Sequence, residues 1–254
     1  MIHFISDLHL APQDPATAQT FLAYLAGPAR DAAQLYILGD LFEAWPGDDC
    51  LDDPEDPFNA EMAAALRDLS DAGTEVFILH GNRDFLLGEG FADRCGARLL
   101  HEPQVLSLPS WQFVLAHGDA LCTDDVAYQA FRTQVRAPEW RAAFLVKPLP
   151  ERKAIAAALR RQSEAAKREK TQDADYLMDL NPNDTDDFLR AHGYATFIHG
   201  HTHRPDCHHH LVDGILVERW VLADWHDGSG EYLAWDDERL QRITLPPKAE
   251  DSPR

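Results

Sequence analysis

Residues 2–10 read Ile2-His3-Phe4-Ile5-Ser6-Asp7-Leu8-His9-Leu10. The apolar, β-branched and aromatic start predicts a strand buried early in the fold. Asp7 and His9 are two apart at its end, so on a strand they share a face. A carboxylate oxygen beside an imidazole nitrogen is a ligand set for a divalent transition metal. A lone Asp and His also suit an exposed strand end, so the reading turns on whether the arrangement recurs.

It recurs along the chain. Gln34–Leu38 reads as a strand and runs into Gly39-Asp40-Leu41-Phe42-Glu43. Glu75–Leu79 runs into His80-Gly81-Asn82-Arg83-Asp84, Trp111–Ala116 into His117-Gly118-Asp119, and Ala195–Ile198 into His199-Gly200-His201-Thr202-His203. Ala16–Leu25 and Ala60–Ala72 have helical apolar spacing closed by glycine, and Phe91–Cys95 reads as part of a short helix. Ala97–Leu100 reads as an edge strand, and Glu218–Leu222, Tyr232–Trp235 and Gln241–Leu245 as later strands. Strand, polar tip and helix in alternation predict an α/β fold with its ligands at strand tips.

The middle differs. Tyr128–Leu145 and Leu149–Lys170 read as two helices, and Asn183–Asp187 as the start of another running to His192-Gly193. From Lys147 to Lys170 the basic residues are Lys147, Arg152, Lys153, Arg160, Arg161, Lys167, Arg168 and Lys170, opposed by Glu151, Glu164 and Glu169. Such a block in a chain of net charge −20 calls for an anion nearby. Gly47–Pro57, rich in aspartate, reads as a surface loop; its spacing does not match a calcium loop. His208, His209 and His210 cannot all face one ion on a strand and read as surface.

Composition narrows the function. The 254 residues are 45% apolar, enough for a sizeable core with a small insertion. The acidic balance argues against a general nucleic-acid binder. The four cysteines show no CxxC spacing, which points to neither a zinc knuckle nor a disulfide framework and suits a reducing cytoplasm. There is no signal-peptide pattern at the N-terminus and no apolar run of spanning length.

Collected, the strand tips supply Asp7, His9, Asp40, Asn82, His117, His201 and His203. This nitrogen and oxygen set suits Mn, Fe, Co or Zn better than Mg or Ca. It is too large for one ordinary ion but fits two that share a carboxylate and hold a hydroxide for in-line attack on phosphorus.

The blocks Asp7-Leu8-His9, Gly39-Asp40, Gly81-Asn82-Arg83-Asp84, His117 and Gly200-His201-Thr202-His203 resemble the calcineurin-like metallophosphoesterases. Longer stretches, ISDLHL, YILGDLFEAWPGDD, GNRDFLLGEGF, HGDALCTDD, YQAFRTQVRAPEW and IHGHTHRP, resemble the branch that cleaves UDP-2,3-diacylglucosamine in lipid A biosynthesis. The resemblance implies one αββα domain, a β-sandwich flanked by helices, spanning 1–254 with a helical lid at about 125–172. It implies two Mn2+ ions, with Co2+ or Fe2+ as substitutes. One would take Asp7, His9, Asp40 and His203, the other Asp40, Asn82, His117 and His201. It places Asp40, Asn82 and Arg83 in catalysis and Asn82, Arg83, Asp125, Ser163, Lys167, Lys170 and His201 against substrate. It implies water attack at the α-phosphorus, releasing UMP and 2,3-diacylglucosamine 1-phosphate. It further implies a peripheral position on the cytoplasmic face of the bacterial inner membrane, with no nucleic-acid partner and no obligate protein partner. The alternative is a dimetal phosphodiesterase for a soluble nucleotide.

Arg83 adds a chemical argument of its own. Most of the superfamily has histidine after the asparagine, where it assists an alkoxide leaving group as an acid. Arginine stays protonated, but its fork fits phosphate oxygens. A leaving phosphate needs no proton, so Arg83 favours pyrophosphate cleavage over cleavage of an ordinary ester.

Overall fold

The computed structural model describes residues 1–169 and 179–245, with the backbone alone across 162–169. Strands β1 (Ile2–Ile5), β2 (Gln34–Leu38), β3 (Glu75–Leu79), β4 (Ala97–Leu99), β10 (Gly230–Trp235) and β11 (Leu240–Leu245) form one sheet in the order β11-β10-β1-β2-β3-β4. Strands β5 (Gln104–Ser107), β6 (Gln112–Leu115), β7 (Thr196–His199), β8 (Cys207–Val212) and β9 (Ile215–Val221) form a second, ordered β5-β6-β7-β9-β8. β1 to β4 are parallel, and so are β6, β7 and β9.

The central strands read as unbroken apolar runs because both of their faces are covered. Phe4, Tyr36, Leu38, Phe77 and Leu79 meet Phe113, Leu115, Ile198 and Leu222 between the sheets. Their neighbours Ile5, Leu35, Ile37, Val76 and Ile78 join the outer core with helices α1 (Pro15–Ala26), α2 (Phe58–Asp71) and α3 (Glu89–Cys95). On the far side Val114, Phe197 and Val217 pack with Leu189 of α7 (Pro182–Ala191). The result is the expected helix–sheet–sheet–helix layering. A slip of one residue in β1 or β2 would exchange the two faces, so the register is fixed by burial.

The chain between β6 and β7 carries α4 (Val126–Arg136), α5 (Pro138–Leu145) and α6 (Leu149–Glu169) ahead of α7. The single helix expected over Tyr128–Leu145 is thus two. Pro138 has no N–H to donate and forces Ala137 into an extended conformation, which ends α4. One further expectation is corrected, and two strands are left unassigned by the sequence. Strands β5 and β8 do not stand out in the sequence, because each lies at a sheet edge and is only partly buried. Gly47–Pro57 is more than a surface loop: it forms a 3-10 turn over Asp48–Asp52 that buries Cys50 and Leu51. Its Asp48 accepts from Trp45 Nε1 and from the N–H groups of Gly88 and Phe91 at the start of α3. That is favourable placement for a carboxylate.

The same acidic stretch explains part of the basic block. Arg152 is almost fully buried and bonds to Asp49 and to the Pro46 carbonyl. Lys153 Nζ reaches Asp53 at 2.7 Å and Asp56 at 3.0 Å. Lys147 pairs with Glu151, and Arg160 Nε lies 3.0 Å from Glu43 Oε1. From Lys147 to Arg160 the expected anion is therefore largely the protein's own acidic groups.

Candidate metal centre

Every strand-tip residue singled out in the sequence comes to one rim, at the C-terminal ends of parallel strands. Asp7 and His9 follow β1, Asp40 follows β2, Asn82 follows β3, His117 follows β6, and His201 and His203 follow β7. The tips are tied side by side: Asp7 N–H donates to the Gly39 carbonyl at 3.2 Å, and His9 N–H to that of Asp40 at 2.9 Å.

The backbone there is strained. Asp7, His9, Asp40, His201 and His203 all have positive φ, between 48° and 66°. Asp and His tolerate the left-handed region better than most residues, yet each instance costs about 1–3 kcal/mol. Glycines allow the close approach. A Cβ on Gly81 would collide with Asp40 Oδ1, and one on Gly200 with Asp7 Oδ2.

The polar atoms converge. His9 Nε2 faces His203 Nε2 at 3.3 Å, and His203 Nε2 lies 3.4 Å from Asp7 Oδ1. Asp40 Oδ2 stands between the halves, 3.8 Å from His9 Nε2 and 3.7 Å from His117 Nε2. Asn82 Oδ1 lies 3.0 Å from His117 Nε2 and 2.8 Å from His201 Nδ1. An ion bonded at about 2.1 Å to two ligands sets them about 3.0–3.5 Å apart, so this rim needs only small contraction to bind. Asp7, His9 and His203 make one group able to hold an ion, and Asp7, Asp40 and His117 another. The Oδ1 atom of buried Asp7 has no hydrogen-bond partner. An orphaned carboxylate oxygen aimed at two imidazole nitrogens fits a cation.

The groups behind the rim fix the ligand atoms. His117 Nδ1 donates to the Leu38 carbonyl at 2.9 Å, which turns Nε2 inward toward Asn82 and Asp40. Glu43 Oε2 lies 3.0 Å from His9 Nδ1, and Asp224 Oδ2 3.4 Å from His203 Nδ1. Asp84 joins two tips by accepting from Gly81 and Leu41 N–H groups, each at 2.8 Å. Burial opposes charge on His117, but Asp40, Asp7, Asp119 and Glu102 push it up to about 9. The rim therefore favours positive charge, as a metal site must. Burial and the neighbouring His117 lower His201 to about 4.

Arg83 joins the rim from β3. Its N–H donates to Asp40 Oδ1 at 2.8 Å, its guanidinium lies 3.8 Å from Glu43, and its buried Nε has no partner. Asp125 caps α4 by accepting from Tyr128 N–H, and Tyr128 stacks on His201 with centroids 6.0 Å apart. The side chains of Ser163 and Lys167, and all of Lys170, lie outside the described residues. Glu43, Asp224 and Asp119 were not foreseen as working groups. Asp119 accepts from Tyr128 Oη, Arg132 and Arg136, and Arg136 also donates to the Gly81 carbonyl, so α4 is tied to the rim. The available signal was that each acid follows shortly after an apolar strand.

Fold and rim together define a dimetal phosphoesterase. The profile of the calcineurin-like phosphoesterases matches residues 1–205, and the chain belongs to that family. It is 53% identical to the UDP-2,3-diacylglucosamine hydrolase of Aromatoleum aromaticum, across 92% of either chain. With the hydrolase of that name from Chromobacterium violaceum it shares 51%, over 96% of this chain and 98% of the relative. With that of Escherichia fergusonii it shares 46%, over 93% and 96%.

Proposed function

We propose that this protein hydrolyses the pyrophosphate bond of UDP-2,3-diacylglucosamine, adding water at the α-phosphorus and releasing UMP and 2,3-diacylglucosamine 1-phosphate. The observation that carries the reading is Arg83 at the dimetal rim, a position where an ester hydrolase needs a proton donor. The similarity to the named hydrolases across nearly the whole chain supports the same substrate. Two Mn2+ ions, held by Asp7, His9, Asp40 and His203 and by Asp40, Asn82, His117 and His201, would polarise the phosphoryl oxygens and activate water.

The chain's own groups do the rest. Arg83 offers its unpartnered Nε to the phosphate, where charge grows in the transition state. The Glu43 carboxylate lies behind Arg83 and His9, 3.0 Å from His9 Nδ1 and 3.8 Å from the Arg83 guanidinium, and attracts both. Because the departing group is a stable phosphate, no side chain has to protonate it. Asn82 and His201 face the phosphates from the other half, and Asp125, Ser163, Lys167 and Lys170 position sugar and phosphate groups.

Among the described residues, the helical insertion from Asp125 to Glu169 acts as a lid on the metallophosphoesterase domain. Its exposed apolar residues Val126, Phe131, Leu145 and Val146 suit acyl chains and a membrane edge. Each buried methylene contributes about 0.8 kcal/mol. Since acids of the protein answer much of the basic block, contact with the cytoplasmic face of the inner membrane rests mainly on these apolar groups. No helix among the described residues is long and apolar enough to cross a membrane.

The test compares UMP release from UDP-2,3-diacylglucosamine and from UDP-N-acetylglucosamine by the Mn2+-loaded protein. Strong preference for the acylated substrate is expected. Equal turnover would overturn the lipid reading and leave a soluble-nucleotide hydrolase.

A further inference from the structure

The run His208-His209-His210 is not absorbed by the metal rim, and β8 divides it. His208 and His210 leave one face of the strand, while His209 leaves the other beside Cys207, two residues away. His210 is taken up structurally: its Nδ1 lies 2.9 Å from Asp186, and its Nε2 accepts from Arg219 at 3.2 Å. His209 instead stands directly across the antiparallel ladder from Glu218, as Cys207 stands across from Trp220. The thiol sulfur, an imidazole nitrogen and a carboxylate oxygen of these three residues lie within 4.8 Å of one another. His209 Nε2 is 3.9 Å from Glu218 Oε1.

We propose that Cys207, His209 and Glu218 bind a third divalent ion, of the borderline-soft class to which Zn2+ belongs, on the outer strands of the second sheet. The donor set is thiolate, imidazole and carboxylate, with a fourth position left for water. Tetrahedral bonds of zinc length set such ligands about 3.4–3.6 Å apart. The ladder already fixes the three Cα positions, so rotation of the half-exposed His209 and Glu218 side chains suffices to close the site. The carboxylate is oriented from behind: Trp220 Nε1 donates to Glu218 Oε2 at 2.9 Å, which leaves Oε1 toward His209. Cys50, Cys95 and Cys122 are buried, so Cys207 is the thiol an entering ion can reach.

The local charge agrees. Glu218 and Asp206 place negative charge beside the Cys207 thiol, opposed by Arg242. The same field attracts a cation. On coordination the thiol releases its proton to solvent and the sulfur bonds as thiolate. Softness separates this site from the rim. The rim offers nitrogen and oxygen alone, which suits Mn2+, whereas sulfur selects zinc or cobalt.

The sulfur also supplies a readout that the rim cannot give. The full chain, with its rim first loaded with Mn2+, is titrated with Co2+ while near-ultraviolet thiolate-to-cobalt charge transfer is followed. The band should level off at the intensity of one thiolate-bound cobalt per chain, and added Zn2+ should bleach it. Cys207→Ser should remove the band and keep UMP release unchanged, since this strand lies outside the rim. His209→Ala should weaken cobalt binding by at least about tenfold. Absence of the band at saturating Co2+, or its survival in Cys207→Ser, would overturn the site. Retention of the band under excess Zn2+ would overturn the choice of ion class.

Discussion

The strand-tip rim and the helical insertion are built on opposite physical terms. At the rim, five proposed ligands sit at positive φ, enforced by glycine contacts and by strands buried on both faces. The insertion is attached by side chains: Arg152 to Asp49, Lys153 to Asp53 and Asp56, Arg160 to Glu43, with Trp140, Leu149 and Ile155 against the core. Backbone strain held by a core fixes positions to fractions of an ångström. Apart from the buried Arg152, these ion pairs are partly exposed and worth little each. We propose that the difference divides the labour, with chemistry at the rim and substrate recognition in the insertion.

The comparison breaks first if the rim is not the reactive part. Asp40→Ala should lower turnover by more than about 100-fold and remove bound metal from both halves, because groups merely behind a ligand already account for about 10–100-fold. Metal analysis beside UMP release checks it; full metal content with full activity would contradict it. Arg83→Ala should lower kcat by about 100-fold or more with metal content intact. Loss of metal instead would make Arg83 structural.

Glu43→Gln, which loosens both His9 and Arg83, should cost about tenfold in turnover, read with a parallel fall in metal affinity. His9→Gly sharpens the strain argument. The metal-free variant should keep its Tm or gain a few degrees, because glycine adopts positive φ freely. A fall of more than about 1 kcal/mol in stability would refute the claim that the rim stores strain. The smallest effect belongs to the insertion. Lys153→Ala should change stability by less than about 1 kcal/mol and leave metal content untouched.

Much of the rim was legible because buried strands end abruptly in ligand residues, and an apolar run stopping at Asp-x-His or Gly-His-x-His needs no structure to be noticed. What could not be read was the backbone. Nothing in the letters Asp7 or His203 reveals a left-handed φ. Glu43 and Asp224 were hidden because a carboxylate behind a histidine has no fixed spacing from it in sequence. Asp224 does repeat the pattern of an acid just past a strand, after Val221-Leu222. The break at Pro138 was readable from proline chemistry alone and was outweighed by the apolar spacing around it. The acidic stretch 47–57 looked like solvent-facing loop because its partners, Arg152 and Lys153, lie about a hundred residues away.

The central claim is that this rim, loaded with two ions, cleaves the pyrophosphate of a lipid-linked nucleotide. The most direct measurement strips the protein with chelator, restores Mn2+ stepwise, and follows UMP release from UDP-2,3-diacylglucosamine. Activity should be absent without metal and reach its plateau near two ions per chain. Turnover that persists after chelation, or that saturates at one ion, would contradict the account.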